Sequence, residues 1–305
     1  MITAKAIGEA AFQAIRSGST NISADVREAF IKAISEENDE GAREGLEKTL
    51  ESIRLAEVYD RPSCADTGWP IFYIKAGNDV RIEGGFMALE EAVRDAVRRA
   101  TKEGYIRKTM KDPLTGFDPG DNIGVNIPDF TYKFVPGDSI EITYCAKGGG
   151  SECFGGTRQK VVAFADGTKG IEKFVIDAFA DAARAGAICP PSIVGVGIGG
   201  TANVAANLAK EAACLRLVGS HHPEEKIKAI EDRLYRGING LGFGILGAGG
   251  NTSALAVNVE YAYTHIAGIV VAISCNCMVA RRSTFRVDDD ENITKLECAN
   301  WFGDR

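Results

Sequence analysis

The first sixty residues carry apolar positions at helical spacing. Apolar side chains recur every three or four positions through Ile2–Ile15, Val26–Ile34 and Leu46–Val58, with charged residues on the other faces. This period predicts three amphipathic helices. We therefore expect a helical N-terminal region over residues 1–60.

From residue 61 onward, strand-like and helix-like segments are interspersed. Apolar runs predict strands at Ile71–Lys75, Ile140–Tyr144, Lys160–Phe164, Ile193–Val196, Leu255–Glu260 and Ile269–Ser274. Helical periods predict helices over Gly85–Lys102, Gly170–Ala185, Ala202–Ala213 and Glu224–Asn239. Because strands and helices do not alternate regularly, the pattern favours an α/β fold with a mixed sheet. We expect residues 61–305 to form one α/β domain, continuous with the helical region.

Four segments break these patterns and are rich in Gly, Pro, Asp or Asn. They are Arg61–Gly68, Arg107–Pro128, Lys147–Gly156 and Gly247–Asn251. Such composition predicts loops, and an ordered loop as long as the second is often functional.

Composition limits the classes of partner. The chain has 305 residues, 45% of them hydrophobic, and a net charge of −7. Phosphate binding needs a basic face, so we expect no nucleic-acid partner, although a few arginines can still hold a small anion. No apolar run approaches the roughly 20 residues of a membrane span, so we expect no membrane insertion. The first residues are typical of an amphipathic helix and not of a signal peptide, which predicts a cytoplasmic protein.

Eight cysteines in a chain expected to be cytoplasmic do not predict a disulfide framework. No pair has the CxxC spacing of a zinc ribbon or a thioredoxin-like motif. Three segments place cysteine at a turn, and they are SCADTG around Cys64, ICPPS around Cys189 and SCNCMVARRS around Cys275 and Cys277. The other four are expected to serve packing, and they are Cys145, Cys153, Cys214 and Cys298.

One glycine motif indicates an alternative function. GVGIGG at residues 195–200 follows a predicted strand and precedes a predicted helix, as in a dinucleotide-binding fold. That fold also needs an acidic residue about 20 positions later to bind the ribose. Here the region is RLVGSHHP, with no acid before Glu224. The motif therefore indicates a tight turn with an anion site at the helix N-terminus. The alternative, an NAD(P)-dependent dehydrogenase or another nucleotide-binding protein, is less favoured.

Seven segments in one order resemble the class I, iron–sulfur-dependent fumarate hydratases and their L(+)-tartrate dehydratase relatives. They are CADTG at 64–68, KGGGSE at 147–152, CPP at 189–191, VGVGIGGT at 194–201, LRLVGSHHP at 215–223, TH at 264–265 and CMVARR at 277–282. The resemblance runs from about Leu46 to Val287. It is to the α subunit, which matches the N-terminal half of the single-chain forms.

The resemblance implies a cofactor and a reaction. Cys64, Cys189 and Cys277 would ligate one 4Fe–4S cluster, with Cys275 as the rival third ligand. Three thiolates leave one iron open, and an open iron is a Lewis acid that binds a substrate carboxylate and hydroxyl. The implied enzyme is a hydro-lyase for a C4 dicarboxylate, acting between fumarate and malate or from L(+)-tartrate to oxaloacetate. The sequence leaves that choice open.

The resemblance also implies roles for polar residues. Asp66 would orient or activate the base, Arg107 would hold a substrate carboxylate, and His265 would contact the substrate. Lys147 and Gly148, Gly149 and Gly150 would bring backbone amides to a carboxylate or a cluster sulfide. The structural alternatives are a loop cap for Asp66, a solvated side chain for Arg107 and a buried structural role for His265.

The resemblance finally implies a partner. In the single-chain relatives, the C-terminal half supplies further carboxylate-binding groups and the residue thought to act as the base, and residues 1–305 contain no match to that half. We therefore expect a separate β subunit that completes the active site, in an α2β2 assembly.

Overall fold

The computed structural model describes residues 1–303, which divide into two compact units. The first unit comprises Met1–Ser23, Ser52–Lys147 and Arg281–Trp301, and the second comprises Ala24–Glu51 and Gly148–Ala280 together with Phe302. The first sixty residues are divided between the two units.

The helices and strands follow the sequence pattern closely. The helices are α1 (Ala4–Thr20), α2 (Ala24–Glu36), α3 (Glu40–Val58), α4 (Gly85–Glu103), α5 (Gly149–Cys153), α6 (Gly167–Arg184), α7 (Ala202–Leu215) and α8 (Glu225–Asn239). The strands are β1 (Trp69–Gly77), β2 (Asp129–Val135), β3 (Ile140–Lys147), β4 (Thr157–Val162), β5 (Ser192–Ile198), β6 (Ala254–Tyr261), β7 (Ile269–Asn276), β8 (Arg282–Val287) and β9 (Ile293–Leu296). The three predicted N-terminal helices are confirmed.

The first unit is built on a five-stranded sheet in the order β2-β1-β3-β8-β9. Strands β1 and β2 are parallel, and the other neighbours are antiparallel. Helices α1 and α4 pack together and supply Ile7, Ile15 and Val93 to a core that also holds Phe72 and Ile142 of the sheet. The core therefore forms where the apolar stripes of two helices meet the apolar face of the strands.

The second unit is built on a four-stranded sheet in the order β4-β7-β5-β6, in which only β5 and β6 are parallel. Val194 and Val196 of β5 share a core with side chains of α6 and α8. Helix α7 lies against β5 and β7. The predicted α/β class with mixed pairing is confirmed, with two sheets in place of one.

The glycines of GVGIGG serve close packing. Gly195 and Gly197 lie inside β5, where an added Cβ would stand 2.0 Å from the carbonyl oxygens of Ala209 and Ala205 of α7. Gly199 and Gly200 form the following turn with φ of +83° and +72°, which favours glycine. The strand thus continues through the first two glycines, whereas a dinucleotide-binding turn would expose them in a loop. The motif is explained without a nucleotide.

Some elements were not predicted from the sequence. Strands β2, β8 and β9 and the short helix α5 were missed. The strand predicted at Lys160–Phe164 is displaced, because β4 ends at Val162 and a 3₁₀ turn occupies Phe164–Asp166. Among residues 1–303, no helix combines the length and the apolar character that crossing a bilayer requires.

Candidate active site

Two of the predicted cysteine ligands lie at one end of the second unit's sheet. Strands β5 and β7 are antiparallel, and Ile193 near the start of β5 pairs with Asn276 at the end of β7. Cys277 follows Asn276 directly, and the turn that carries Cys189 ends where β5 begins. Cys189 is exposed and Cys277 is buried. Antiparallel pairing therefore places at one end of the sheet two cysteines that are 88 positions apart in the sequence.

The glycine-rich segment reaches the same end of this sheet. Gly150 lies so close to the chain before Cys189 that an added Cβ would stand 2.0 Å from the carbonyl oxygen of Ala187. At the other end of the segment, the carbonyl oxygen of Gly156 accepts a 2.7 Å hydrogen bond from the N–H of Cys275. Only glycine permits the first approach, so Gly148–Gly150 are held beside the Cys189 turn.

A buried hydroxyl marks this end of the sheet as polar. Ser192, three residues after Cys189, is fully buried, and its Oγ has no hydrogen-bond partner among the residues that the structure describes. A buried hydroxyl without a partner costs free energy and is typical of a position that a bound group completes. Two thiols and this hydroxyl suit a thiolate-held metal group, so the residues present fit the cofactor that the resemblance implies.

The second cysteine of the CNC sequence has a different setting. Cys275 lies within β7 and belongs to the apolar core that packs against α6 and α8. Cys277 lies beyond the end of the strand, where Asn276 Oδ1 accepts a 2.9 Å hydrogen bond from its N–H. Within residues 1–303, no three His, Cys, Asp or Glu side chains are grouped so that they could hold a metal ion. Cys64 belongs to the first unit.

In the first unit, two arginines hold the loop that carries Cys64. Arg107 donates from Nη1 to the carbonyl oxygen of Ala65 at 2.8 Å, and its N–H donates to Thr67 Oγ1 at 2.9 Å. Arg281 is buried and donates to the carbonyl oxygen of Asp66. Arg281 is therefore a support of this loop.

Asp66 and Arg107 are brought together by this loop. Asp66 is exposed, and its Oδ1 accepts a 3.1 Å hydrogen bond from the N–H of Gly68, so the loop-capping alternative describes part of its role. Arg107 is also exposed although it is bonded to the loop. A carboxylate and a guanidinium thus belong to or contact the loop that carries Cys64, and both are exposed to solvent.

Lys147 lies at the same end of the first unit's sheet. It is the last residue of β3, pairs with Trp69 at the start of β1, and is fully buried. The loop Cys64–Gly68 leads directly into that start of β1. Lys147 is therefore placed near Asp66 and Arg107 by strand pairing, while Gly148–Gly150 belong to the second unit.

His265 lies at the opposite end of the second unit's sheet from Cys277. It stands in the loop before β7, whereas Cys277 follows the end of β7, so the eight-residue strand separates them. At about 3.3 Å per residue, this is roughly 25 Å. His265 is exposed, which excludes the buried structural role, and its Nδ1 accepts a 3.1 Å hydrogen bond from the N–H of Ala267. That bond leaves Nε2 to carry the proton of the neutral ring.

Sequence reasoning did not find Ser192 as a part of these sites, and it did not find the contact that Arg281 makes. The only signal for Ser192 was its place directly after a CPP turn. Arg281 stood in a recognised motif, but its partner, the carbonyl oxygen of Asp66, is 215 positions away in the sequence. Neither contact could be derived from local pattern.

Comparisons with known proteins show the family of this chain. The family model described as Fumarate hydratase (Fumerase) matches residues 8–286. A protein of Methanocaldococcus jannaschii with the provisional name L(+)-tartrate dehydratase subunit alpha is 35% identical over 289 residues, which is 94% of this chain and 99% of that protein. The L(+)-tartrate dehydratase subunit alpha of Escherichia coli (strain K12) is 34% identical over 254 residues, which is 82% of this chain and 81% of that protein. This chain belongs to the fumarate hydratase family of hydro-lyases.

Proposed function

We propose that this chain is the α subunit of an iron–sulfur-dependent hydro-lyase that adds or removes water on a C4 dicarboxylate. The observation that carries the proposal is the antiparallel pairing of β5 with β7, which puts Cys189 and Cys277 at one end of a sheet together with the unpartnered hydroxyl of Ser192. Membership of the fumarate hydratase family supports the reaction class. The packing role of the GVGIGG glycines gives no support to a dehydrogenase.

The proposed ligands are Cys64, Cys189 and Cys277. The place of Cys275 in the apolar core favours Cys277 as the ligand from the CNC sequence. Cys64 is proposed from the family motif, and Arg107 and Arg281 hold its turn by donating to backbone oxygens of Ala65 and Asp66. With three thiolate ligands, a bound 4Fe–4S cluster would supply one open iron as a Lewis acid toward the carboxylate and hydroxyl of the substrate.

The proposed substrate clamp uses the polar residues of the first unit. Arg107 would bind one substrate carboxylate, since its guanidinium is exposed and is oriented by its bond to Ala65. Asp66 would orient the proton-transferring group, and its own direction is fixed by the N–H of Gly68. Lys147 would add positive charge, and Gly148–Gly150 would present backbone amides.

His265 would act in the site of a second copy of the chain. Because roughly 25 Å of strand separates His265 from Cys277, the two cannot meet around one small substrate within one chain. The neighbours of His265 in its loop, Tyr263 and Ile266, are 93% and 87% exposed. This loop is therefore accessible for contact with a partner. This supports the α2β2 assembly, with His265 donated between copies.

A β subunit would complete the site with the base and further anion-binding groups. The relatives are named as alpha subunits, which supports a separate partner chain. The loop that follows Arg107 exposes the side chains of Leu114, Phe117 and Val125. Leu114 and Val125 are each more than nine-tenths exposed, which suits a subunit contact.

The test is an activity assay after anaerobic reconstitution with the β subunit. Fumarate, malate and L(+)-tartrate are offered separately, and the names of the relatives favour L(+)-tartrate. We expect dehydration or hydration of one of these acids by α and β together and negligible turnover by α alone, since a missing base forfeits about 10²–10⁴-fold in rate. Activity with NAD(P) and no hydro-lyase activity would contradict the proposal.

A further inference from the structure

Glu37 is a buried carboxylate that the proposed function does not use. It lies in the turn between α2 and α3 in the second unit and is 3% exposed. Its Oε1 accepts hydrogen bonds from the N–H groups of Asn38 and Asp39, at 3.0 and 3.1 Å. Its Oε2 accepts one from the N–H of Asn251 at 2.7 Å. One carboxylate therefore joins this turn to a loop 214 positions later in the chain.

The loop Gly244–Ser253 is pressed against the α2–α3 hairpin. An added Cβ at Gly250 would stand 2.8 Å from both Glu37 Oε2 and the Cβ of Ala42, and one at Gly45 would stand 2.9 Å from Ile245. These approaches leave no room for side chains at the two glycines. The position of the loop is thus set by the hairpin, and Glu37 supplies the charged contact between them.

The same loop holds the turn that carries Cys189. The N–H of Leu246 donates to the carbonyl oxygen of Pro190 at 2.8 Å, and the N–H of Ser192 donates to the carbonyl oxygen of Ser253 at 3.0 Å. These two bonds bracket the segment directly after Cys189. Leu246 has φ of +51°, a conformation that a leucine keeps only where its surroundings impose it.

The two ends of the loop are secured differently. At the Ser253 end, Asn239 Oδ1 accepts from the N–H groups of Ser253 and Ala254 at 2.7 and 2.8 Å. Near Asn251, the backbone N–H of that residue donates to Glu37 Oε2. Bonds within the loop also hold the segment around Leu246, from the N–H of Gly244 to Ser253 Oγ at 3.2 Å and from the N–H of Gly249 to the carbonyl oxygen of Phe243 at 2.8 Å. Glu37 supplies the side-chain contact that ties this segment to the α2–α3 hairpin.

We propose that Glu37 is a positioning residue that fixes Cys189 as a metal ligand through the loop Gly244–Ser253. The proposal rests on the proposed function, in which Cys189 is a cluster ligand. Replacing a residue that holds a metal ligand in position, without binding the metal itself, typically lowers the affinity for the metal about 10–100-fold. This role needs a carboxylate, because both oxygens of Glu37 accept hydrogen bonds from backbone N–H groups. The amide of a glutamine would have only one oxygen that can accept them.

The test compares Glu37→Gln and Glu37→Ala with Glu36→Ala as the matched control. Glu36 is the exposed neighbour of Glu37, and the contact from Asn251 Nδ2 to Glu36 uses its backbone oxygen, which the control keeps. In the cluster-free chain, amide hydrogen exchange is measured at Leu246 and Ser192. In the anaerobically loaded chain, the rate of cluster loss to a chelator is measured at temperatures equally far below each variant's Tm.

For Glu37→Ala we expect exchange at both amides to rise at least about tenfold and cluster loss to accelerate about tenfold or more. Glu37→Gln should fall between wild type and Glu37→Ala, and Glu36→Ala should match wild type. If Glu37→Ala does not fold, Glu37→Gln carries the test alone. Wild-type exchange and wild-type cluster loss in the Glu37 variants would overturn the proposal. A wild-type chain that takes up no cluster would overturn the proposed function, while the exchange measurement would still decide whether Glu37 holds the Cys189 turn.

Discussion

At the scale of single residues, Asp66 allows its structural and chemical roles to be separated. Its Oδ1 accepts from the N–H of Gly68, and an asparagine oxygen can accept the same bond. Asp66→Asn should therefore keep the loop and the visible iron–sulfur absorbance while lowering kcat of the α–β enzyme by at least about a hundredfold. Steady-state kinetics and an absorbance spectrum check this. A variant that loses its colour would show that Asp66 supports the ligand loop instead.

His222 gives the fold a pH dependence that can be measured. Burial lowers the pKa of His222, against the raising effects of Glu260, Glu231 and Glu224, while Arg216 also lowers it. The unfolded chain takes up this proton near pH 6.5 and the folded chain only at lower pH, so stability falls as pH drops below about 6.5.

We predict that the fall in stability at acidic pH is smaller when the imidazole of His222 is replaced by an amide. In the cluster-free chain, the free energy of unfolding by urea should decline less between pH 6.5 and pH 5 for His222→Gln than for wild type. His221→Gln is the control, since His221 is exposed. Equal declines in wild type and His222→Gln would contradict the account of His222 as a buried neutral histidine.

At the scale of elements, the close packing of α7 on β5 predicts a cost for any side chain at Gly195. Gly195→Ala should lower the free energy of unfolding by about 1–3 kcal/mol, because the new methyl group meets the backbone of Ala209. The control is Gly124→Ala, where an added Cβ meets no atom within 4 Å and the change should stay within about 0.5 kcal/mol. Urea unfolding measures both. An unchanged Gly195→Ala variant would reopen the alternative in which this glycine admits a ligand.

The sequence predicted the helices and strands whose packing follows one clear apolar pattern. Helices such as α1 and α4 were recognised because one apolar stripe carries their packing, and β5 and β7 because both of their faces are buried. Strand β2 was missed because it is a partly exposed edge strand that follows a long loop. Its alternation of aromatic and polar residues is too short to be distinctive.

The candidate site was predicted as a set of residues, and its arrangement was not. The motifs named Cys189 and Cys277, but their approach depends on the antiparallel pairing of β5 with β7, which the sequence does not specify. His265 is twelve positions from Cys277 in the sequence, yet a whole strand separates them. Arg281 and Glu37 act on backbone groups more than 200 positions away, so no local pattern marks either contact.

At the scale of the whole molecule, the position of His265 predicts that active sites are shared between copies. His265→Ala and Cys277→Ser enzymes, each assembled with the β subunit, should be nearly inactive. When the two α variants are co-assembled, half of the dimers formed at random contain one intact site, so activity should recover to about one quarter of wild type. Activity assays on the mixed preparation measure this. No recovery in a preparation shown to contain mixed dimers would contradict the sharing.

The most direct test of the central claim is the iron and acid-labile sulfide content of the anaerobically purified chain. We expect about four irons and four sulfides per chain. Serine in place of Cys64, Cys189 or Cys277 should abolish both, whereas serine in place of Cys145, Cys214, Cys275 or Cys298 should leave both unchanged. A full complement of zinc without sulfide, or a cluster that survives Cys277→Ser and is lost in Cys275→Ser, would contradict the account.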